Sequence, residues 1–389
     1  MSALAMVGTP SYGEVHEAFR ESFRTFLARH VQPHVEEWER EGIVPRELYR
    51  LAGEGGFLGL QVPEEYGGAG VDDFRFNAII AEEALRIGAS GVSVGFTLHN
   101  DVCLPYLLEY CDEAQRERWL PGVVSGDIVL AVAMTEPGTG SDLAGIATSA
   151  IRDGDHYVVN GAKTFITNGI HADLVITAVK TDPSERHRGL SLVMIEEGTP
   201  GFSRGRKLEK IGLHSQDTAE LFFQDARVPV ENLLGEEGRG FAQLTANLPQ
   251  ERLSIAVAGV ANARAAIAWT IDYVREREAF GAPIGALQNT RFVLADCATE
   301  LAVGQAFLER CMDELERGEL SVEAAAAAKL WCTELQGRVT DRCLQLFGGY
   351  GYMSEYPIAR AYADARVSRI YGGANEIMRE ILGRSLRLA

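Results

Sequence analysis

Ala131-Val-Ala-Met-Thr-Glu-Pro-Gly-Thr-Gly-Ser-Asp142, with Asn160-Gly-Ala-Lys-Thr-Phe-Ile-Thr-Asn-Gly169 further along, is the stretch on which the reading of this chain turns. It ends an apolar run and enters a loop dense in hydroxyls, glycines and backbone donors. Taken alone, glycine beside Ser and Asp is ordinary turn chemistry. The surrounding rhythm is short and alternating or β-branched: His156-Tyr-Val-Val, Leu174-Val-Ile-Thr, Leu190-Ser-Leu-Val-Met-Ile and Leu221-Phe-Phe, with glycines and turn residues between them. That pattern predicts a small antiparallel β lobe from about Val129 to Leu234.

On either side the period changes. From about Glu14 to Leu120 apolar residues recur at three- and four-residue spacing, as in Phe19, Phe23, Phe26 and Leu27, with loops expected at Pro63 to Gly70 and Gly88 to Gly95. From Gly240 to the end the helical pattern returns, including Val322-Glu-Ala-Ala-Ala-Ala-Ala-Lys-Leu. The expected fold is mainly α with a central β domain: a helical domain over 1–127, a β-barrel-like domain over 128–236 and a helical bundle over 237–389. No internal repeat or long linker separates them, so close packing of the lobes is expected.

The totals are consistent with such a protein. A chain of 389 residues is long for one core, and 46% hydrophobic with 24% charged residues is an ordinary globular composition. With 37 basic and 55 acidic residues the net charge is −18, which argues against a nucleic-acid-wrapping surface. An anionic ligand would need locally placed arginines. The six cysteines form no CxxC pair and read as buried free thiols of a reducing compartment. No apolar run approaches the roughly 18 residues of a membrane span, and the start MSALAMVGTPSYGEV lacks a signal-like pattern. A cytoplasmic setting is expected.

Several motif-like fragments are set aside. Gly91-Val92-Ser93-Val94-Gly95 matches a serine-nucleophile pattern, but its flanks look helical where that chemistry needs a strand-to-helix turn. His30 and His34 are four apart with Pro33 between them and no third ligand suggested, so no metal site is read. Gly53-Glu54-Gly55-Gly56 and Gly348-Gly349-Tyr350-Gly351 neither follow a strand nor complete a dinucleotide loop. Tyr66 and Tyr106 are read as packing.

Together, the stretches 131–142 and 160–169 resemble the acyl-CoA dehydrogenase family, whose β lobe carries a TEPxxGSD loop and an NGxKxxITNG strand. Further matches keep the family's order: Gly205-Arg-Lys-Leu-Glu-Lys-Ile-Gly-Leu, Gln216-Asp-Thr-Ala-Glu-Leu-Phe-Phe, Leu248-Pro-Gln-Glu-Arg-Leu, Arg277-Glu-Ala-Phe-Gly281 and Ile370-Tyr-Gly-Gly-Ala-Asn-Glu-Ile-Met378. The long-chain members resemble the chain most, and isovaleryl-CoA dehydrogenase is similar around the base.

The resemblance implies FAD-dependent conversion of a fatty acyl-CoA to a trans-2-enoyl-CoA. Val132, Met134, Thr135, Gly140 and Ser141 would line the flavin, with Thr135 near its pyrimidine edge and Ser141 toward the acyl-CoA. Phe165, Ile166 and Thr167 would lie along the other side of the ring, with Thr167 near N5; many members have Trp where this chain has Phe165. Arg277, Phe280, Gln288, Gln345, Leu346, Phe347, Gly348 and Gly349 resemble residues holding the adenosine diphosphate half of a neighbouring subunit's FAD, while Ala374, Asn375 and Glu376 would serve the chain's own. Pro249, Gln250, Arg252 and Gly373 would join Ser141 and Gly372 around the substrate. A homotetramer, or dimer of dimers, and an electron-transfer flavoprotein as electron acceptor are implied.

The base needs a choice. Many relatives carry a glutamate after the tyrosine of the C-terminal motif, where this chain has Gly372. In long-chain and isovaleryl members the carboxylate comes from the position of Glu251, and Gly372 would keep only its backbone N–H for the thioester oxygen. The residues themselves add a helix whose stripe is Leu253, Val257, Val260, Ile267, Ile271 and Val274, with Glu251 turned away from it and Ser254 and Ala258 on its own side, a groove for a thin acyl chain. On those residues alone the preferred reading of Glu251 is a carboxylate favouring a helix start after Pro249. The rival functions are a branched- or short-chain dehydrogenase, an acyl-CoA oxidase, separated by oxygen consumption, and a non-catalytic acyl-CoA-binding subunit, which would stay colourless with FAD.

Overall fold

A computed structural model of the chain describes residues 12–388; the N-terminal reading rests largely on residues outside that range. Seven helices make the first lobe: α1 (Glu14–His30), α2 (Val35–Glu41), α3 (Glu47–Glu54), α4 (Phe74–Arg86), α5 (Ser90–Thr97), α6 (Leu104–Tyr110) and α7 (Glu113–Ser125). The predicted stripe of α1 is the face that packs: Phe23, Phe26 and Leu27 are buried with Trp38, Leu48, Phe57 and Ile80. Asp112 caps α7 by accepting from the Gln115 N–H, and Gly126, at φ 76°, ends it.

The expected loop at Gly88 to Gly95 shrinks to the short link Ile87 to Ala89, with its turn at Ile87 and Gly88. Ser93 lies inside α5, 1% exposed, and makes no nucleophile elbow. Gly91 is needed there because a Cβ would stand 2.1 Å from Ser215 Oγ.

The middle lobe is one sheet of β1 (Leu130–Ala133), β2 (Ser149–Asp153), β3 (His156–Thr167), β4 (Leu174–Lys180), β5 (Leu190–Glu196), β6 (Phe202–Lys207) and β7 (Thr218–Pro229), in the order β1-β4-β2-β3-β7-β6 with β5 beside β4. It is not wholly antiparallel as expected, because β1 pairs with β4 in parallel, Leu130 opposite Leu174. The chain between them runs out and back through β2 and β3, and a connection of that length can return a strand in the same direction. Bulges interrupt the β3–β7 ladder between Val159 and Gly161 and between Lys163 and Ile166. The second bulge falls inside the 160–169 stretch and re-aims its side chains.

After the sheet come α8 (Gly240–Glu276), a two-strand hairpin of β8 (Glu278–Ala279) and β9 (Ala282–Pro283), α9 (Gln288–Glu316), α10 (Val322–Phe347), α11 (Pro357–Ala365) and α12 (Asn375–Ser385). Leu253, Val257, Val260 and Ile267 of α8 meet Ala328, Cys332, Leu335 and Val339 of α10 in the core. By length and composition α8 could cross a membrane, a point the run-length reading did not raise, but 67% of its apolar window is buried within the protein. All six cysteines are free and buried.

Candidate active site

A cleft of about 680 Å³ opens where the three lobes meet. Its walls are Val94 and Thr97 of α5, Leu98 and Val102 beyond it, Val132 of β1 with Met134, Thr135, Gly140 and Ser141 of the following loop, Phe165, Ile166 and Thr167 at the end of β3, and Tyr371, Gly372 and Gly373 before α12. From α8 come Leu248, Glu251, Arg252, Ser254, Ile255 and Ala258. Glu251, Ser254 and Ala258 thus share one face, as their helical spacing predicts.

The two stretches that decided the sequence reading are locked together beneath this wall. Lys163 Nζ is 2.8 Å from Glu136 Oε1 and donates to the Met134 carbonyl at 3.0 Å. Glu136 also accepts the N–H groups of Ala147, at 2.7 Å, and Thr148, at 2.9 Å. Burial lowers the Lys163 ammonium to about 8, and Lys163 holds the Glu136 carboxyl below its usual value. A buried charge pair with its remaining oxygen satisfied fixes a loop that glycines would leave loose. Neither residue was singled out from the sequence; their places inside the two motifs were the available signal.

Phe165 sits within the bulge at φ 61°, a left-handed conformation that costs a non-glycine residue free energy, and the residue is 67% exposed and lines the cleft. Thr135 and Thr167 line the same cleft, and no hydrogen bond from either side-chain hydroxyl to protein is found among the described residues. An uncovered aromatic face and two free hydroxyls around one cleft suit a planar, polar-edged ring such as the isoalloxazine of FAD.

Two carboxylates line the cleft. Asp142 is exposed and 3.1 Å from Arg186, whereas Glu251 is 5% exposed. Pro249 lies inside α8, so Glu251 is not at a helix start and the capping explanation falls. Burial pushes the Glu251 carboxyl up to about 7, opposed by a hydrogen bond from Tyr106 Oη, 2.8 Å from Oε1, and by the Arg252 charge. Tyr106, read from sequence as packing, is therefore in contact with the candidate base, and no local sequence signal marked it.

Gly372 and Gly373 adopt φ 62° and 91°. A Cβ on Gly372 would stand 2.2 Å from Ile255 Cδ1, so a side chain there would need that methyl to move and would also be strained at this positive φ. Lys329 of α10 braces this loop, donating to the Gly373 carbonyl at 2.8 Å and to Asn375 Oδ1 at 2.9 Å. Burial, with Arg252 nearby, lowers its ammonium to about 8.

Some expected residues lie elsewhere. Pro249 and Gln250 do not line the cleft: Gln250 Nε2 donates to the Asp101 carbonyl at 3.0 Å and borders a separate hollow. Each residue turns a helix by about 100°, so the one before Glu251 faces another way. Ala374, Asn375 and Glu376 also miss the cleft. Asn375 turns into α10, donating to Thr333 Oγ1 at 3.0 Å and Glu334 Oε1 at 3.0 Å, and Glu376 is exposed.

Arg277, Gln345, Leu346, Phe347, Gly348 and Gly349 come together on a second groove of about 550 Å³, with the Arg277 guanidinium 5.6 Å from the centre of the Tyr350 ring. The Phe347 ring itself is core, stacked on Tyr273 at 4.1 Å. Phe280, 98% exposed at the β8–β9 turn, and Gln288, exposed at the start of α9, do not line the groove.

Three lobes around a cleft with one buried carboxylate define an acyl-CoA dehydrogenase, an oxidoreductase. Family models described as the acyl-CoA dehydrogenase N-terminal, middle and C-terminal domains match residues 13–127, 131–226 and 238–387, and the chain belongs to that family. It is 46% identical over 377 residues, 96% of this chain and 87% of the relative, to a mitochondrial long-chain specific acyl-CoA dehydrogenase of Sus scrofa. It is similar to the crystal structure of an acyl-CoA dehydrogenase from Geobacillus kaustophilus, with TM-score 0.95, 51% identity and coverage of 98% of this chain and 100% of that one. A glutaryl-CoA dehydrogenase from Mycobacterium smegmatis, in complex with FADH2, aligns with TM-score 0.90 and 27% identity over 96% of this chain and 95% of that one.

Proposed function

We propose that the cleft binds FAD and a fatty acyl-CoA side by side and that the chain converts the thioester to a trans-2-enoyl-CoA in β-oxidation, with Glu251 as proton acceptor. The observation that carries this reading is the buried Glu251 carboxylate lining the same cleft as Gly372, the position that holds glycine and so offers no side-chain acid. FAD, when bound, supplies the acceptor for the β-hydride. Phe165 and Ile166 would pack against it and the Thr135 and Thr167 hydroxyls would bond to its polar edge, favouring the electron-rich form.

The remaining steps belong to the chain. Glu251 takes the α-proton; a carboxylate stripped of water beside an apolar acyl chain is a stronger base than one in solution. Negative charge then develops on the thioester oxygen. The Gly372 N–H, which has no backbone acceptor among the described residues, donates to it, a contact worth about 3–4 kcal/mol. Ser254 and Ala258 leave the space along α8 for the acyl chain.

The groove around Arg277 takes the pyrophosphate half of FAD from a second copy, so the working form is an oligomer, a homotetramer built as a dimer of dimers. Guanidinium forks suit such phosphates, and an acidic chain needs one locally. An electron-transfer flavoprotein is the proposed acceptor, and the cytoplasm the proposed location.

The test is anaerobic: acyl-CoA thioesters of graded length are added and bleaching of the flavin band is followed. Glu251→Gln is expected to stay yellow and bind acyl-CoA while bleaching about 10²–10⁴-fold more slowly. Bleaching at the unaltered rate would remove Glu251 from the reaction.

A further inference from the structure

We infer that Tyr106 is the positioning residue of the proton acceptor: its phenol holds one oxygen of Glu251, reserves the other for the substrate and sets how basic the carboxylate is. This rests on the reading of Glu251 as base. Tyr106 is 0% exposed, and its hydroxyl donates to Glu251 Oε1 at 2.8 Å. A phenylalanine would fill the same volume, so the hydroxyl brings a buried polar group that only the carboxylate satisfies. A phenol gives one proton to one oxygen; Oε2 accepts nothing from protein among the described residues and is left to the cleft that Glu251 lines.

The backbone around Tyr106 is built toward the same end. Leu98–Cys103, between α5 and α6, is wound as a π-helix, a rare form that gathers at functional sites. It clamps the turn of α8 that carries Glu251 from both flanks, because the Asp101 carbonyl accepts from Gln250 Nε2 and the Asp101 carboxylate accepts from the Ser254 hydroxyl. Glu251 is thereby fixed on its helix, and Tyr106, on the next helix, fixes its end.

The other ionisable groups near Glu251 do not substitute for Tyr106. Arg252 on α8 acts through its charge alone, and Asp101, whose own carboxyl burial raises to about 7, bonds to Gln250 and Ser254 and not to Glu251. Cys103 on the π segment is a buried thiol whose ionisation Glu251 opposes, and the Tyr110 ring centre is 6.4 Å from that of Tyr106. Tyr371, His187, Asp142 and Arg384 stand elsewhere around the cleft. A hydrogen bond to the ionised form lowers a carboxyl pKa where burial raises it. Their opposition leaves Glu251 at about 7, where a base is both ionised and strong near neutrality.

The sign of the test follows. Without the phenol proton the ionised form loses support, so in flavin-loaded Tyr106→Phe the acid limb of the kcat/KM profile moves up by about one pH unit. Activity falls about tenfold well below the original midpoint and little well above it, with flavin content unchanged. Placing 3-fluorotyrosine at 106, a stronger donor of nearly the same shape, moves the limb the other way, and this readout stands even if Tyr106→Phe folds poorly. In a Glu251→Gln background, Tyr106→Phe adds no further loss. Full activity of Glu251→Gln would defeat the reading of the base itself. An inactive Glu251→Gln together with an unmoved acid limb in both position-106 variants would overturn the role of Tyr106 alone.

Discussion

At the scale of single residues, the site is an exchange between two positions. Gly372 offers no acid and sits at a positive φ that suits glycine, and in the proposed reaction Glu251 supplies the carboxylate from α8 instead. The sequence allowed this reading because a glycine cannot accept a proton. It could not reveal Tyr106, whose partner is 145 positions away, nor Asp101, whose carboxyl burial pushes from 3.8 to about 7. Asp101 Oδ1 has no hydrogen-bond partner among the described residues, so ionising it inside the fold is unfavourable. Because its folded pKa is the raised one, the destabilisation is absent below the unfolded value, grows as pH rises toward 7 and is complete above it. Asp101→Asn is therefore expected to stabilise the protein by roughly 2 kcal/mol at pH 8 and by little at pH 4. Melting temperatures of the two proteins at both pH values check this, and an equal difference at each would refute it.

At the scale of elements, α8 carries both core and chemistry. The stripe of Leu253, Val257, Val260 and Ile267 packs on α10, while Glu251, Ser254 and Ala258 face the cleft. Helical periodicity made that division legible. It did not show that Pro249 lies within the helix, since proline reads equally well as a first-turn residue. The small residue at 258 is argued to admit the acyl chain. Ala258→Leu is expected to lose about tenfold or more in kcat/KM toward the longest acyl-CoA accepted while sparing the shortest; an unchanged chain-length profile would exclude that role. The strand β3 gives the opposite lesson. Its alternation was readable, but the bulge between Lys163 and Ile166 that exposes Phe165 was not. A bulge is set by the register with a distant partner strand.

At the scale of the whole molecule, a chain of net charge −18 offers a pyrophosphate little welcome except where an arginine is placed for it. Arg277, on a groove separate from the cleft, is that arginine in the proposed assembly. Arg277→Ala is expected to weaken FAD binding by about tenfold or more, read as flavin released during gel filtration, without altering the fold. Undiminished retention would show that the groove holds no part of the cofactor. By itself the sequence determined the α–β–α order and the two loop stretches, because these rest on periodicity and on residue types at short spacing, whereas Glu251 came forward as the base only through the family resemblance. Only the tertiary structure decided that β1 runs parallel to β4, that Gln250 and Asn375 turn away from the cleft, and that Tyr106 reaches Glu251. Those facts depend on register, helix rotation and burial, which arise when distant segments pack and leave no mark in the neighbouring residues.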